Sequence, residues 1–192
     1  KEQLMLEIRH NLITAELPIV RLLRLQQIAC NYVPVADDEP VHMFSAKNPR
    51  MNVMEEIRDE TYTPGIIWAR FRHDVDQLMD LFGKDAVRYD GSVDEDQAER
   101  NKLAFQRGDA QWFIGTAAKG GPGLTLTQAK VMVYYSNSFK LIDRLQSEDR
   151  CHRAGMDEHP VTYIDLVANG TVDERIVENL RNKRDIARSI QG

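Results

Sequence analysis

The chain has 192 residues, 42% of them hydrophobic and 29% charged, the balance of an ordinary soluble globular protein with length for one substantial core and a short appendage. A formal charge of −5 excludes a uniformly basic surface that coats nucleic acid, although a local basic stripe can coexist with an acidic total. Two distant cysteines, Cys30 and Cys151, exclude a disulfide framework and a cysteine-pair zinc site, and no apolar run approaches the roughly 18 residues of a membrane span. With the charged opening Lys1-Glu2-Gln3, which is not a signal peptide, the expectation is a soluble intracellular protein in a reducing compartment, without a membrane partner.

Residues 1–45 read as a helical lead-in and linker. Leu4, Ile8, Leu22, Leu25 and Ile28 recur at helical spacing with a break near Pro18, which predicts two helices. The stretch 33–40, with two prolines and Asp37-Asp38-Glu39, predicts an exposed acidic linker. Residues 46–192 then alternate strand and helix. The nearly continuous apolar run at 65–71 has the signature of a buried parallel strand, followed by helical spacing of Val75, Leu78, Met79 and Phe82 over 74–82. Ala86-Val87-Arg88-Tyr89 predicts a second strand, and Ser92 with Glu95 has the capping-box pattern of a helix reaching to about Gln106. Further strands are expected at 112–115, 131–135 and 161–167, and an amphipathic helix at 172–190. Strands separated by helices call for an α/β, three-layer domain with a mainly parallel sheet.

The strongest chemical signal is the run Gln146-Ser147-Glu148-Asp149-Arg150-Cys151-His152-Arg153-Ala154-Gly155. At roughly 100° per residue, Gln146, Arg150 and Arg153 share a helical face within an arc of about 60°. Such a forked cationic edge suits the charge that spreads over phosphoryl oxygens as a phosphoanhydride breaks. The same pattern also satisfies a helix macrodipole and an Asp149–Arg153 ion pair, so its weight comes from the neighbouring segments. One of these is the glycine-rich loop after the third strand, which contains Thr116, Lys119, Gly121, Gly123 and Thr125. It lies where open α/β sheets gather ligands, and its glycines would let backbone N–H groups approach an anion or simply let the chain turn.

Two absences bound the chemistry. There is no G-x-x-x-x-G-K-[ST] phosphate loop, because Gly83-Lys84 is followed by Asp85. Asp94-Glu95-Asp96-Gln97 follows a Gly-Ser turn instead of ending a buried strand, so it reads as a negatively charged helix N-terminus. His42, His73 and His159 have no paired spacing, and no metal site is expected.

Taken in order, these segments resemble the C-terminal RecA-like lobe of superfamily 2 helicase-like ATPases, within them the Swi/Snf-type family. The resemblance runs from Leu22-Leu23-Arg24-Leu25 through motif IV at 65–71, Tyr89-Asp90-Gly91-Ser92 with Arg100 and Phe105, motif V at 116–126 and motif VI at 146–155, to Asn169-Gly170-Thr171-Val172. It implies a RecA-like (P-loop NTPase-type) fold and a helicase C-terminal domain over 46–192. Arg150 and Arg153, with Gln146, are implied to act on nucleotide phosphates held by an N-terminal lobe, which would bind most of the ATP and Mg²⁺. Gly121, Gly123 and Asp149 are implied at the nucleotide, and Trp68, Arg70, Thr116, Lys119 and Thr125 at nucleic acid, expected to be double-stranded DNA. Phe139-Lys140-Leu141 stands where many members carry Trp-Asn-Pro, a departure expected of a microbial or viral branch. The implied protein is a DNA translocase of the cytoplasm, nucleoid-associated or in the host cytoplasm if viral, whose second lobe is inactive alone. A strand-separating DNA or RNA helicase lobe and a non-catalytic RecA-like module binding nucleic acid or protein are the alternatives.

Overall fold

The computed structural model describes residues 18–33, 42–43, 47–119, 124–151 and 160–191. Helix α1 (Pro18–Ala29) starts on a proline, whose fixed φ and missing N–H suit a first helical turn. It is followed by Asn31 in left-handed backbone at φ 74°. Strand β1 (Tyr32–Val33) pairs antiparallel with β2 (His42–Met43). Helix α2 (Pro49–Glu60) is capped by Asn48, whose side chain accepts the Arg50 N–H at 3.1 Å.

The alternating part follows as β3 (Gly65–Trp68), α3 (Arg72–Phe82), β4 (Ala86–Tyr89), α4 (Glu95–Arg107), β5 (Trp112–Gly115), β6 (Val131–Tyr134), α5 (Leu141–Asp149), β7 (Thr162–Asp165) and α6 (Val172–Gln191). The five later strands form one parallel sheet in the order β4-β5-β3-β6-β7. Every residue of the central strands β3 and β5 is buried, which explains their uninterrupted apolar sequence. The expected parallel α/β architecture is therefore the one observed, with helices on both faces of the sheet.

Alternate strand residues feed two cores. Ile67, Trp112, Ile114 and Val133 pack with Met54, Val75, Leu78 and Phe82 from α2 and α3. Ile66, Trp68, Phe113 and Met132 pack with Phe105 of α4 and with Leu124, Leu126 and Cys151. A smaller cluster of Val172, Ile176 and Leu180 on α6 takes in Leu22 of α1 and Phe139. Each large apolar side chain buried this way contributes about 1.5–3 kcal/mol relative to exposure.

Several boundaries differ from expectation. Helix α4 is capped by Asp94, whose carboxylate accepts the Gln97 N–H at 2.7 Å, whereas Ser92 turns back and donates its N–H to Asp90 at 2.9 Å. An ionised oxygen at the N-cap outcompetes a hydroxyl two residues earlier. Strand β3 stops at Trp68, which frees Ala69, Arg70 and Phe71 to form the turn into α3. Strand β7 covers only Thr162–Asp165 of the expected 161–167.

Two constraints hold this arrangement. Arg50, 6% exposed, donates Nε to the Ala29 carbonyl at 3.1 Å and Nη1 to the carbonyls of Tyr135 and Leu166, the latter at 3.2 Å, and pairs Nη2 with buried Asp173. One guanidinium thereby joins the end of α1, the exits of β6 and β7, and the start of α6. The second constraint is steric: a Cβ at Gly115 would lie 2.1 Å from the Tyr89 carbonyl oxygen, an atom that cannot retreat without opening the β4–β5 ladder.

Arg50→Ala should lower the unfolding free energy by about 3–5 kcal/mol in a urea titration, because it leaves Asp173 buried without its partner. Arg50→Met combined with Asp173→Leu should recover most of that loss. Gly115→Ala should cost about 1–3 kcal/mol by the same measurement.

Candidate functional site

Parallel strands end on one edge, and the turns leaving that edge form the site. Ala69, Arg70 and Phe71 leave β3, Thr116 and Ala117 leave β5, and Ser136, Asn137 and Ser138 follow β6. Between them lies a cavity of about 350 Å³, closed on one side by Lys140 and Arg144 of the α5 segment. Gly115 brings β5 against β4 so closely that the Thr116 N–H reaches the Tyr89 carbonyl at 3.2 Å.

The floor of the cavity is organised by Arg144, a residue that periodicity does not single out. Its guanidinium lies 3.5 Å from the Tyr134 ring centroid. It donates to Asn137 Oδ1 at 3.0 Å and Glu148 Oε1 at 2.6 Å, and forks onto both carboxylate oxygens of Asp165. Burial opposes its charge, but the hydrogen bonds to Asp165 and Glu148 outweigh that and hold its pKa above the usual arginine value. Asn137 donates to Asp165 at 2.8 Å, and its carbonyl accepts from Gln26 of α1 at 2.7 Å. Arg184 of α6 reaches Glu148 at 2.6 Å, so the closing helix braces α5 just before Asp149 and Arg150.

Arg70 is half-buried on the cavity wall, its guanidinium carbon 5.8 Å from the Phe71 ring centroid and 5.6 Å from that of Phe139. Burial lowers its pKa and Asp143 works in the opposite direction. Trp68, among the residues that line the cavity, is 1% exposed and packs edge-on to Phe113 at 6.0 Å, so most of its indole supports the edge from below. Its alternation with Ile67 in β3 dictates this, since Trp68 points to the α4 side of the sheet and Ile67 to the other. Thr116 lines the cavity, and Thr125 is half-buried with its carbonyl accepting from Gln106 at 2.6 Å.

Lys119 takes a different role from a free phosphate ligand. Its ammonium donates to the carbonyls of Asp90 at 2.5 Å and Val93 at 2.8 Å and lies 5.4 Å from the Tyr89 ring centroid. It ties the start of the glycine loop to the β4–α4 turn. That turn is itself held by Asp90; burial would raise this carboxyl, but hydrogen bonds from Arg88 and Ser92 overrule it and pull the pKa down to about 2.

At the other end of the site, helix α5 stops at Asp149 and Arg150 forms its C-cap, with the Cys151 N–H closing on the Glu148 carbonyl at 3.2 Å. The sequence places Gln146, Arg150 and Arg153 on one helical face; the regular turns of α5 end at Asp149. Gln146 and Asp149 are exposed and Arg150 half-buried at this terminus. The Arg150 carbonyl accepts the Leu126 N–H at 2.9 Å, which joins the exit of the glycine loop to the arginine-bearing end of α5. Gly121, Gly123 and Arg153 lie outside the described residues. Among the described residues, no cluster of His, Cys, Asp or Glu is placed to hold a metal, and no helix is long and apolar enough to cross a membrane. With no phosphate loop in the sequence, the described residues do not make a complete ATP–Mg²⁺ site.

Comparison with known proteins places this geometry. The model of the helicase conserved C-terminal domain matches residues 49–155. Lymphoid-specific helicase of Homo sapiens is 31% identical over 129 residues, 65% of this chain and 15% of that protein. DNA repair and recombination protein RDH54 of Saccharomyces cerevisiae is 28% identical over 146 residues, 74% of this chain and 16% of that protein. The chromatin-remodeling ATPase INO80 of Drosophila melanogaster is 35% identical over 106 residues, 54% of this chain and 6% of its own length. The chain thus spans a small fraction of each of these relatives. Among solved structures, the C-terminal part of the Fun30 ATPase domain superposes with a TM-score of 0.63 at 21% identity, covering 70% of this chain and 46% of that one. The C-terminal domain of the DEAD-box protein Dbp5 gives 0.60 at 16%, covering 70% and 77%, and both share its RecA-like fold. Because the family match runs unbroken from the first turn of α2 past the arginine-bearing end of α5, the chain belongs to the helicase C-terminal domain family.

Proposed function

We propose that this chain is the second motor lobe of a Swi/Snf-type, nucleic-acid-dependent ATPase that translocates on double-stranded DNA. The observation that carries the reading is the 2.9 Å hydrogen bond from the Leu126 N–H to the Arg150 carbonyl. It makes the exit of the glycine loop and the arginine terminus of α5 one mechanical piece, so movement of an arginine toward a nucleotide is also movement of the loop.

In this reading ATP and Mg²⁺ are held mainly by an N-terminal RecA-like lobe that this chain does not contain. Bound there, ATP supplies the phosphoanhydride whose cleavage drives the cycle. Arg150 and Arg153, with Gln146 and Asp149 beside them, form the cationic edge of this lobe. They carry charge that complements the phosphoryl oxygens when the lobes close. Nucleic acid runs along the strand-end edge, against Arg70, Thr116, Thr125 and the backbone of the loop around Gly121 and Gly123. Lys119 acts by anchoring that loop. Double-stranded DNA as the track is favoured by the relatives, which include a DNA repair and recombination protein and a chromatin-remodeling ATPase. The Phe139-Lys140-Leu141 departure favours a microbial or viral branch, acting on DNA in the cytoplasm.

The test is steady-state ATP turnover of the full-length protein with and without duplex DNA. Duplex should stimulate turnover, and this lobe alone should hydrolyse nothing measurable. Arg150→Ala or Arg153→Ala should reduce turnover by about 10³ to 10⁵, roughly 4–7 kcal/mol of barrier. A loss below about tenfold for both would overturn the arginine-finger role. Release of a labelled strand from a duplex would move the protein to the strand-separating class, and inactivity with every nucleic acid would leave a binding module.

A further inference from the structure

Asp74, in the first turn of α3, is completely buried. The groups facing it come from every layer around it: the Cys30 thiol after α1, Tyr32 of β1, Arg50 of α2, Tyr135 and Ser136 beyond β6, and Asp173 of α6. The cation in this set, Arg50, spends its donors on Asp173 and three backbone carbonyls. Asp74 Oδ2 accepts the Ser136 hydroxyl at 2.8 Å, and Oδ1 has no nitrogen or oxygen partner among the described residues. Ser136 Oγ accepts the backbone N–H of Arg70 at 2.8 Å.

This is a relay with a direction. A hydroxyl has one proton, so giving it to Asp74 turns a lone pair toward the Arg70 amide. An ionised Asp74 strengthens that orientation, because a charge-assisted hydrogen bond is roughly twice as strong as a neutral one. A protonated Asp74 has its own O–H, which competes for the same lone pairs of Ser136. The end of the relay is the residue whose guanidinium lies on the cavity wall between Phe71 and Phe139.

We propose that Asp74 and Ser136 are positioning residues for Arg70, and that ionisation of Asp74 sets how firmly the β3–α3 turn presents this arginine to a nucleic-acid phosphate. The proposal rests on the reading above, in which Arg70 faces the nucleic-acid track. Burial pushes the Asp74 carboxyl up to about 7, with Ser136 and Arg50 pulling the other way, so the relay changes state near neutral pH. A raised carboxyl favours the folded state fully below its unfolded pKa of about 4, and that contribution is lost as pH rises through about 7. Global stability and presentation of Arg70 therefore run in opposite directions over this interval.

The experiment measures fluorescence anisotropy of a labelled DNA duplex of about 20 base pairs with the full-length protein, from about pH 6 to 8.5, for wild type, four single variants and one double variant. Asp74→Asn keeps the acceptor but cannot ionise, and should erase a rise in affinity of about three- to tenfold that wild type shows across pH 7. Ser136→Ala should weaken binding by a similar factor and Ser136→Thr should restore it. Arg70→Ala should weaken binding and make Ser136→Ala silent when the two are combined. If Arg70→Ala weakens binding while Asp74→Asn keeps the wild-type pH profile and Ser136→Ala adds its effect independently, the relay is overturned alone. If Arg70→Ala binds duplex like wild type, the nucleic-acid reading of this edge is overturned, and the proposal with it.

Discussion

The guanidinium of Arg50 is the interaction on which the arrangement of this lobe depends. A five-stranded parallel sheet orders itself by burying strands, but nothing in that burial fixes how α1 and α6 sit against its strand ends. Arg50 does so by satisfying carbonyls from three separate segments and neutralising Asp173 in the same place. A planar five-donor cation is suited to this and an ammonium is not, because the acceptors lie in several directions around one plane. Asn48, which caps the helix carrying Arg50, extends the junction by donating to the Tyr135 hydroxyl at 3.0 Å and the Cys30 carbonyl at 3.3 Å.

From that junction the strand-end edge is assembled in two halves. On one side Arg144 gathers Tyr134, Asn137, Glu148 and Asp165, so the base of α5 is fixed to β6 and β7 before the chain reaches Arg150. On the other, Asp90 and Lys119 hold the β4–α4 turn to the start of the glycine loop. The Leu126–Arg150 hydrogen bond closes the circuit between the halves. Such links stiffen the edge, because packed elements pass displacements on with little loss.

Part of the acidic total of the chain is spent internally. Asp90, Asp165 and Asp173 each face an arginine, and Asp74 is buried near neutrality. Arg70 keeps its guanidinium at the cavity, between the rings of Phe71 and Phe139. Local charge at an edge, and not the sum over the chain, governs attraction of a phosphate backbone.

The apolar runs at 65–71, 112–115 and 131–135 marked three strands by sequence alone, because a fully buried parallel strand has no polar face to disguise it, although two of those strands end earlier, at Trp68 and Tyr134. The amphipathic spacing of 74–82 and 172–190 determined two helices in the same way. Helix α2 escaped that reading: its solvent face is Glu- and Arg-rich, and only Asn48-Pro49 marks its start. The motif order named the family and pointed to Arg150, Thr116 and Arg70, which lie at the cap of α5 and at the turns leaving β5 and β3. Only the tertiary structure decided that Trp68 supports the edge from within, that Lys119 anchors a turn, and that Arg50, Asp74 and Arg144 organise the site. Decisive partners lie far along the chain, 29 residues from Lys119 to Asp90, 62 between Asp74 and Ser136 and 123 between Arg50 and Asp173, and no local periodicity encodes a contact made by folding three layers onto one another.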